Sequence, residues 1–160
     1  MCTFDIIHGI IYLESEIDMR TPFHMVSEFQ QKILGVDQAQ VLSPLSQANK
    51  DHLYNCLIEE AIEMVDSHVI PGTKSAQIVD AVDALMDSIY FAIGGLHKIG
   101  LSPHQMHECF AAVHLANMTK KKGIIERRGD GSAPDAVKPE GWKSPEERIA
   151  EILGVTYVIR

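Results

Sequence analysis

Apolar positions recur along most of this chain at the three- and four-residue spacing of amphipathic helices, and capping residues punctuate them. Thr21-Pro22 supplies an N-cap and a first-turn proline for a helix through VSEFQQKIL, which Gly35 stops. A linker carrying Ser43-Pro44 leads to a second helix, roughly Gln47 to Ser67, ending before Pro71-Gly72. The third runs from about Ser75 to Ile99 and stops at Gly100. Ser102-Pro103 with Gln105 makes a capping-box start for a fourth, roughly Pro103 to Thr119. A last short helix over EERIAEIL begins at Ser144-Pro145, with Glu147 at the box position.

Two stretches break the pattern. KKKGIIERRGDGSAPDAVKPEGW has no helical periodicity and reads as a functional or mobile loop. The segment up to Leu13 alternates isoleucines and fits either a short strand or a turn of helix. Gly94-Gly95 weakens the third helix or admits a close neighbour. The expected architecture is an all-α bundle of four to five helices in one domain, 1–160. Its central helices span about 47–119, and a loop and short helix fill 120–160.

Composition narrows the classes. Apolar residues are 46 % and charged residues 22 %, as in a globular chain. A net charge of −8 argues against general nucleic-acid affinity, because an acidic surface repels phosphate backbones. Lys120-Lys121-Lys122 and Arg127-Arg128 are too local, and too poor in interleaved aromatics, to reverse that. Cys2, Cys56 and Cys109 form no CxxC pair, so a reducing, cytoplasmic setting is expected. No apolar run is long enough to span a bilayer, and the acidic opening is unlike a signal peptide. His104, His107, Cys109 and His114 match no zinc spacing. Neither acidic helix carries the Glu-x-x-His pair of a di-iron bundle.

Candidate chemistry lies on the second and third helices. On a wheel, Ile78, Val82, Leu85, Ile89, Ile93 and Leu96 form an apolar stripe, and Asp80, Asp83 and Asp87 fall in an arc of roughly 60° beside it. On the second helix Glu59, Glu60 and Glu63 lie together, with Glu60 at the edge of the stripe made by Leu53, Leu57 and Met64. Acidic faces on amphipathic helices are ordinarily just solvated. Here, however, like charges three and four apart repel, and aspartate is a poor helix former. Consecutive helices with a short turn pack antiparallel, so the two acidic sets can converge into an oxygen-rich site for a hard cation such as Mg²⁺ or Mn²⁺.

These residues carry a resemblance. Glu59-Glu60-x-x-Glu63 followed by Asp80-x-x-Asp83 is similar to the EExxE…[ED]xxD signature of the MazG-like, all-α nucleoside triphosphate pyrophosphatases. The string from Asp80 to Lys120, with His114, Asn117, Met118, Thr119 and Lys120 at its end, resembles a branch related to phosphoribosyl-ATP pyrophosphatases. The likeness covers roughly Met25 to Leu153, and departs at Asp80, where glutamate is commoner.

The resemblance implies that Glu60, Glu63, Asp80 and Asp83 bind Mg²⁺ (or Mn²⁺), with Glu59 near the activated water and Asp87 behind the ligands. Glu59, Glu60 and Glu63 are the catalytic carboxylates it implies. Asn117, Lys120 and Lys138 would contact the substrate. The implied reaction converts a nucleoside triphosphate, with a purine deoxynucleotide such as dGTP favoured, to its monophosphate and pyrophosphate. A homodimer or homotetramer is implied too. The alternative is a non-catalytic helical module that binds nucleotide or protein. Trp142 either stacks on a base or pins the last helix.

Overall fold

The structure, a computed structural model, describes residues 20–66, 73–123 and 135–158, and the backbone of 6–7 and 10–11. The chain is an all-α bundle, and the described residues form five helices and two small ribbons. In order they are β1 (Ile6–Ile7), β2 (Ile10–Ile11), α1 (Pro22–Lys32), α2 (Gln47–Asp66), α3 (Lys74–Ile99), α4 (Pro103–Met118), β3 (Lys121–Gly123), β4 (Asp135–Val137) and α5 (Glu146–Leu153).

The helix boundaries follow the expected punctuation closely. Ser102 and Gln105 close a full capping box at the start of α4. Gly100 ends α3 in the left-handed conformation, φ 105°, and Thr73 caps the helix through Ala76 N. Two expected caps differ. Thr21 precedes α1, but its hydroxyl pairs with His24 Nδ1 at 2.7 Å instead of a backbone amide. At α5 no side chain caps the backbone, and Ser144 instead hydrogen-bonds Glu146, holding that carboxyl below its ordinary value. The Glu147 box therefore does not form.

The segment expected as an irregular loop contains an antiparallel ribbon, with Lys121 opposite Val137 and Gly123 opposite Asp135. At the N-terminus the strand alternative holds for the four described residues, Ile6 facing Ile11 and Ile7 facing Ile10. Pro71-Gly72, Arg127-Arg128, Cys2 and the remainder of the opening segment lie outside the described residues.

The helices pack as a hairpin, α2 against α3, with α1 lying on α3 and α4, and α5 on α4. Val26, Ile93, Leu101, Met106 and Cys109 form the core, flanked by Phe23, Leu96, Ile99, Ile149 and Leu153. Gly94 and Gly95 do not interrupt α3; they admit neighbours. A Cβ on Gly95 would stand 2.9 Å from Leu53 of α2, and one on Gly94 2.7 Å from the Gln30 amide of α1. His97, fully buried, donates from Nε2 to the Val36 carbonyl at 3.1 Å, and Gln38 donates to the Gly100 carbonyl at 3.0 Å. The α1–α2 linker is thereby tied across the end of α3.

The α3 stripe differs from expectation in one respect. Ile93 is buried and Leu96 half-buried, but Ile78, Val82, Leu85 and Ile89 are each about half exposed. On α2 a parallel row, Tyr54, Ile58, Ile62 and Val65, is exposed as well. The core sits at the α3 C-terminal end, and the rest of the hairpin extends beyond it. Among the described residues no helix is long and apolar enough to cross a membrane.

Candidate active site

Glu60 is the one acidic residue the hairpin buries, at 9 % exposure. It lies on the α2 face turned to α3, one turn beyond buried Cys56. Desolvation pushes its carboxyl above the ordinary carboxylate value, and neighbouring carboxylates push it further. The strongest charge effects come, in order, from Glu63, Asp87, Asp83 and Glu59. The antiparallel pairing of α2 and α3 therefore does bring acidic residues of both helices around one buried carboxyl.

Asp80 is not among those four. It lies a turn nearer the start of α3, on an exposed stretch. Asp87, expected behind the ligands, acts on Glu60 more strongly than Asp83 does. The hairpin register sets this difference. Asp80 and Asp87 flank Asp83 on the same face, and only the register of α3 against α2 decides which of them stands nearer Glu60. Sequence spacing contains no signal for it.

Among the described residues, none of these six carboxylates is paired with a cation. As they stand, no three His, Cys, Asp or Glu side chains among the described residues are grouped tightly enough to hold a metal ion. Glu59, Glu63, Asp83 and Asp87 are exposed. The donor set is all carboxylate oxygen, and it is crowded with like charge. By chemistry an all-carboxylate set suits a hard divalent cation such as Mg²⁺ or Mn²⁺ better than a soft, thiolate-preferring metal. Cys56, whose thiol burial and Glu59 both push up, is no competing thiolate ligand.

The basic residues form a separate group. Lys138 Nζ stands 4.5 Å and Lys120 Nζ 5.4 Å from the Trp142 ring centroid. Trp142 Nε1 donates to the Ala116 carbonyl at 3.0 Å, fastening the chain after β4 to the last turn of α4. Trp142 thus has a packing role, and it gathers two of the three expected substrate contacts. Asn117 is exposed on the same turn of α4. None of these three is among the strongest influences on Glu60.

A second feature adjoins the hairpin. A cavity of about 60 Å³ opens between α1, α2 and α3, lined by Phe29, Gln30, Asn49, His52, Tyr90 and Lys98, among others. No family model matches the chain, and no curated protein matches it.

Proposed function

We propose that this chain is a metal-dependent nucleoside triphosphate pyrophosphohydrolase of the MazG-like kind, acting in the cytoplasm. The observation that carries the reading is Glu60, a buried carboxyl under the charge of Glu63, Asp87, Asp83 and Glu59, none of which pairs with a basic side chain among the described residues. Several carboxylates crowded on two packed helices cost folding free energy, and a bound divalent cation offsets that cost.

Glu60, Glu63, Asp83 and either Asp80 or Asp87 hold Mg²⁺ (or Mn²⁺) in this reading. When bound, the metal supplies charge neutralisation for the triphosphate and acidifies the attacking water. The chain's own groups do the rest. Glu60 is fixed by the hairpin and orients the site. Glu59, next to it and exposed, accepts the proton of the water that attacks the α-phosphorus. The α–β anhydride bond breaks, and pyrophosphate leaves with its electron pair. Lys120 and Lys138, held together by Trp142, meet the charge growing on the leaving group, with Asn117 beside them.

Asp83→Asn or Glu63→Gln is expected to abolish turnover while leaving helicity by circular dichroism unchanged. Retained turnover in either variant would remove the acidic cluster from the mechanism. The first substrates to try are purine deoxynucleotides such as dGTP.

The same reading includes a homodimer or homotetramer. Two parallel apolar rows, Tyr54 to Val65 on α2 and Ile78 to Ile89 on α3, are left uncovered on the hairpin that carries the site. Exposed apolar rows of this length are what an isologous helix–helix interface buries. A second copy packing hairpin against hairpin completes a four-helix arrangement with an acidic cluster in each subunit.

A further inference from the structure

The cavity between α1, α2 and α3 has features of a built recognition site and not of a packing fault. Its chief polar group is Gln30, which is only 6 % exposed, yet its side-chain oxygen accepts no hydrogen bond among the described residues. A buried, unmet amide oxygen is destabilising, so its retention calls for an explanation. Gly94 makes room for this amide, since any Cβ there would stand 2.7 Å from Gln30 Nε2.

The surroundings are those of a flat, polar-edged ligand. Phe29 and Tyr90 meet edge to face, centroids 5.4 Å apart at 80°, and both line the cavity. Asn49, His52 and Lys98 add hydrogen-bonding groups to the same lining. The volume, about 60 Å³, takes the edge of an aromatic ring and not a whole ligand. The rest of any ligand must extend out of the cavity.

Its position gives the direction of that extension. Leu53 and Gly94 line the cavity, and each lies two turns along its helix from Glu60 and Asp87 respectively, about 10 Å at the helical rise. That is the scale of the reach from the α-phosphate of a nucleotide to its base. Tyr90 bridges the two regions. It lines the cavity, and burial, with the Asp87 charge one turn before it, raises its phenol above the ordinary value.

We infer that this cavity receives the edge of the nucleobase, and that Gln30 is the specificity-determining residue, its side-chain amide hydrogen-bonding the base edge. The inference rests on the nucleotide reading of the acidic site and deepens it. A site built to hydrogen-bond one base edge discriminates steeply against bases that do not offer the matching group in the same place.

The test is calorimetric titration of the full chain with each of the four common deoxynucleoside monophosphates, and with inorganic tripolyphosphate plus Mg²⁺ as the base-free probe. Wild type, Gln30→Met and Gly94→Ala are compared, the last pressing a methyl group on the amide without removing it. The expected result is that wild type prefers one base. Both variants lose about ten-fold or more of that preference, while their tripolyphosphate affinity stays within about two-fold. Wild type that ranks the bases equally overturns the inference, as does an unchanged ranking in both variants. An equal loss for monophosphates and tripolyphosphate also overturns it, since that reports general loosening. Binding is read without hydrolysis, so base discrimination in a chain that never turns over a triphosphate would sink the enzymatic reading and leave the base site standing.

Discussion

Glu60 places an acidic group where the fold alone gains nothing from it. Its carboxyl binds a proton more tightly in the folded chain than in the unfolded chain, where the ordinary value is about 4.5. For an acid raised in this way the ionised form is the penalised one. The penalty is therefore full above the folded value and fades as pH falls through it towards 4.5. Glu60→Gln is accordingly expected to raise Tm at pH 7 in EDTA, with the advantage shrinking towards pH 4.5. Addition of Mg²⁺ is expected to raise Tm in wild type and to do so less in the variant. Thermal melts across pH, with and without metal, check both. The acidic set itself was legible in the sequence, because three glutamates and three aspartates recur at helical spacing beside apolar stripes. Which of them crowd Glu60 was not. That Asp87 stands among the leading charges on Glu60 while Asp80 does not reflects the register between two helices, and a helix wheel treats each helix alone. Gln30 was equally hidden, because a glutamine in a polar-looking run carries no sign that its amide is buried against Gly94.

The corner between α3 and α4 combines a left-handed glycine with a full capping box. Gly100 lies at φ 105°, and a Cβ there would approach the Ala39 carbonyl oxygen at 3.1 Å. Gly100→Ala is expected to destabilise by about 1–2 kcal/mol from the left-handed backbone, with the Ala39 contact adding to it. Two residues on, the Ser102 hydroxyl accepts from Gln105 N at 3.2 Å, and Gln105 Oε1 accepts from Ser102 N at 3.0 Å. Ser102→Ala is expected to cost about 1 kcal/mol. Urea unfolding followed by helicity measures both, and a loss near zero in each would mean that this corner contributes nothing. These two signals were readable because a cap is local chemistry within four residues. Ser144 offered the same pattern, and the chain spent its hydroxyl on Glu146 instead. The β3–β4 ribbon was missed for the opposite reason. Three-residue strands of Lys-Lys-Gly and Asp-Ala-Val have no alternation long enough to read, and their pairing spans a wide sequence gap.

At the scale of the whole molecule, the core is confined to the α1, α3, α4 and α5 junction, and the α2–α3 hairpin reaches past it with apolar residues uncovered. Helical periodicity predicted the α3 stripe but not its fate, since a wheel does not distinguish a face that meets its own chain from one that meets a second copy. Ile62→Lys or Val82→Lys is expected to shift the chain to a monomer in light scattering coupled to size exclusion. A wild-type chain that is already monomeric at tens of micromolar would contradict the paired-hairpin assembly. The same hairpin holds the acidic residues, so assembly and activity are expected to fall together.

Chromatography of the products after the purified chain meets each common NTP and dNTP with Mg²⁺ decides whether the acidic cluster hydrolyses nucleotides. Monophosphate plus pyrophosphate, abolished by EDTA and by Glu63→Gln, is the result expected of the acidic cluster around Glu60. Diphosphate plus phosphate, or no product with any nucleotide, would contradict it.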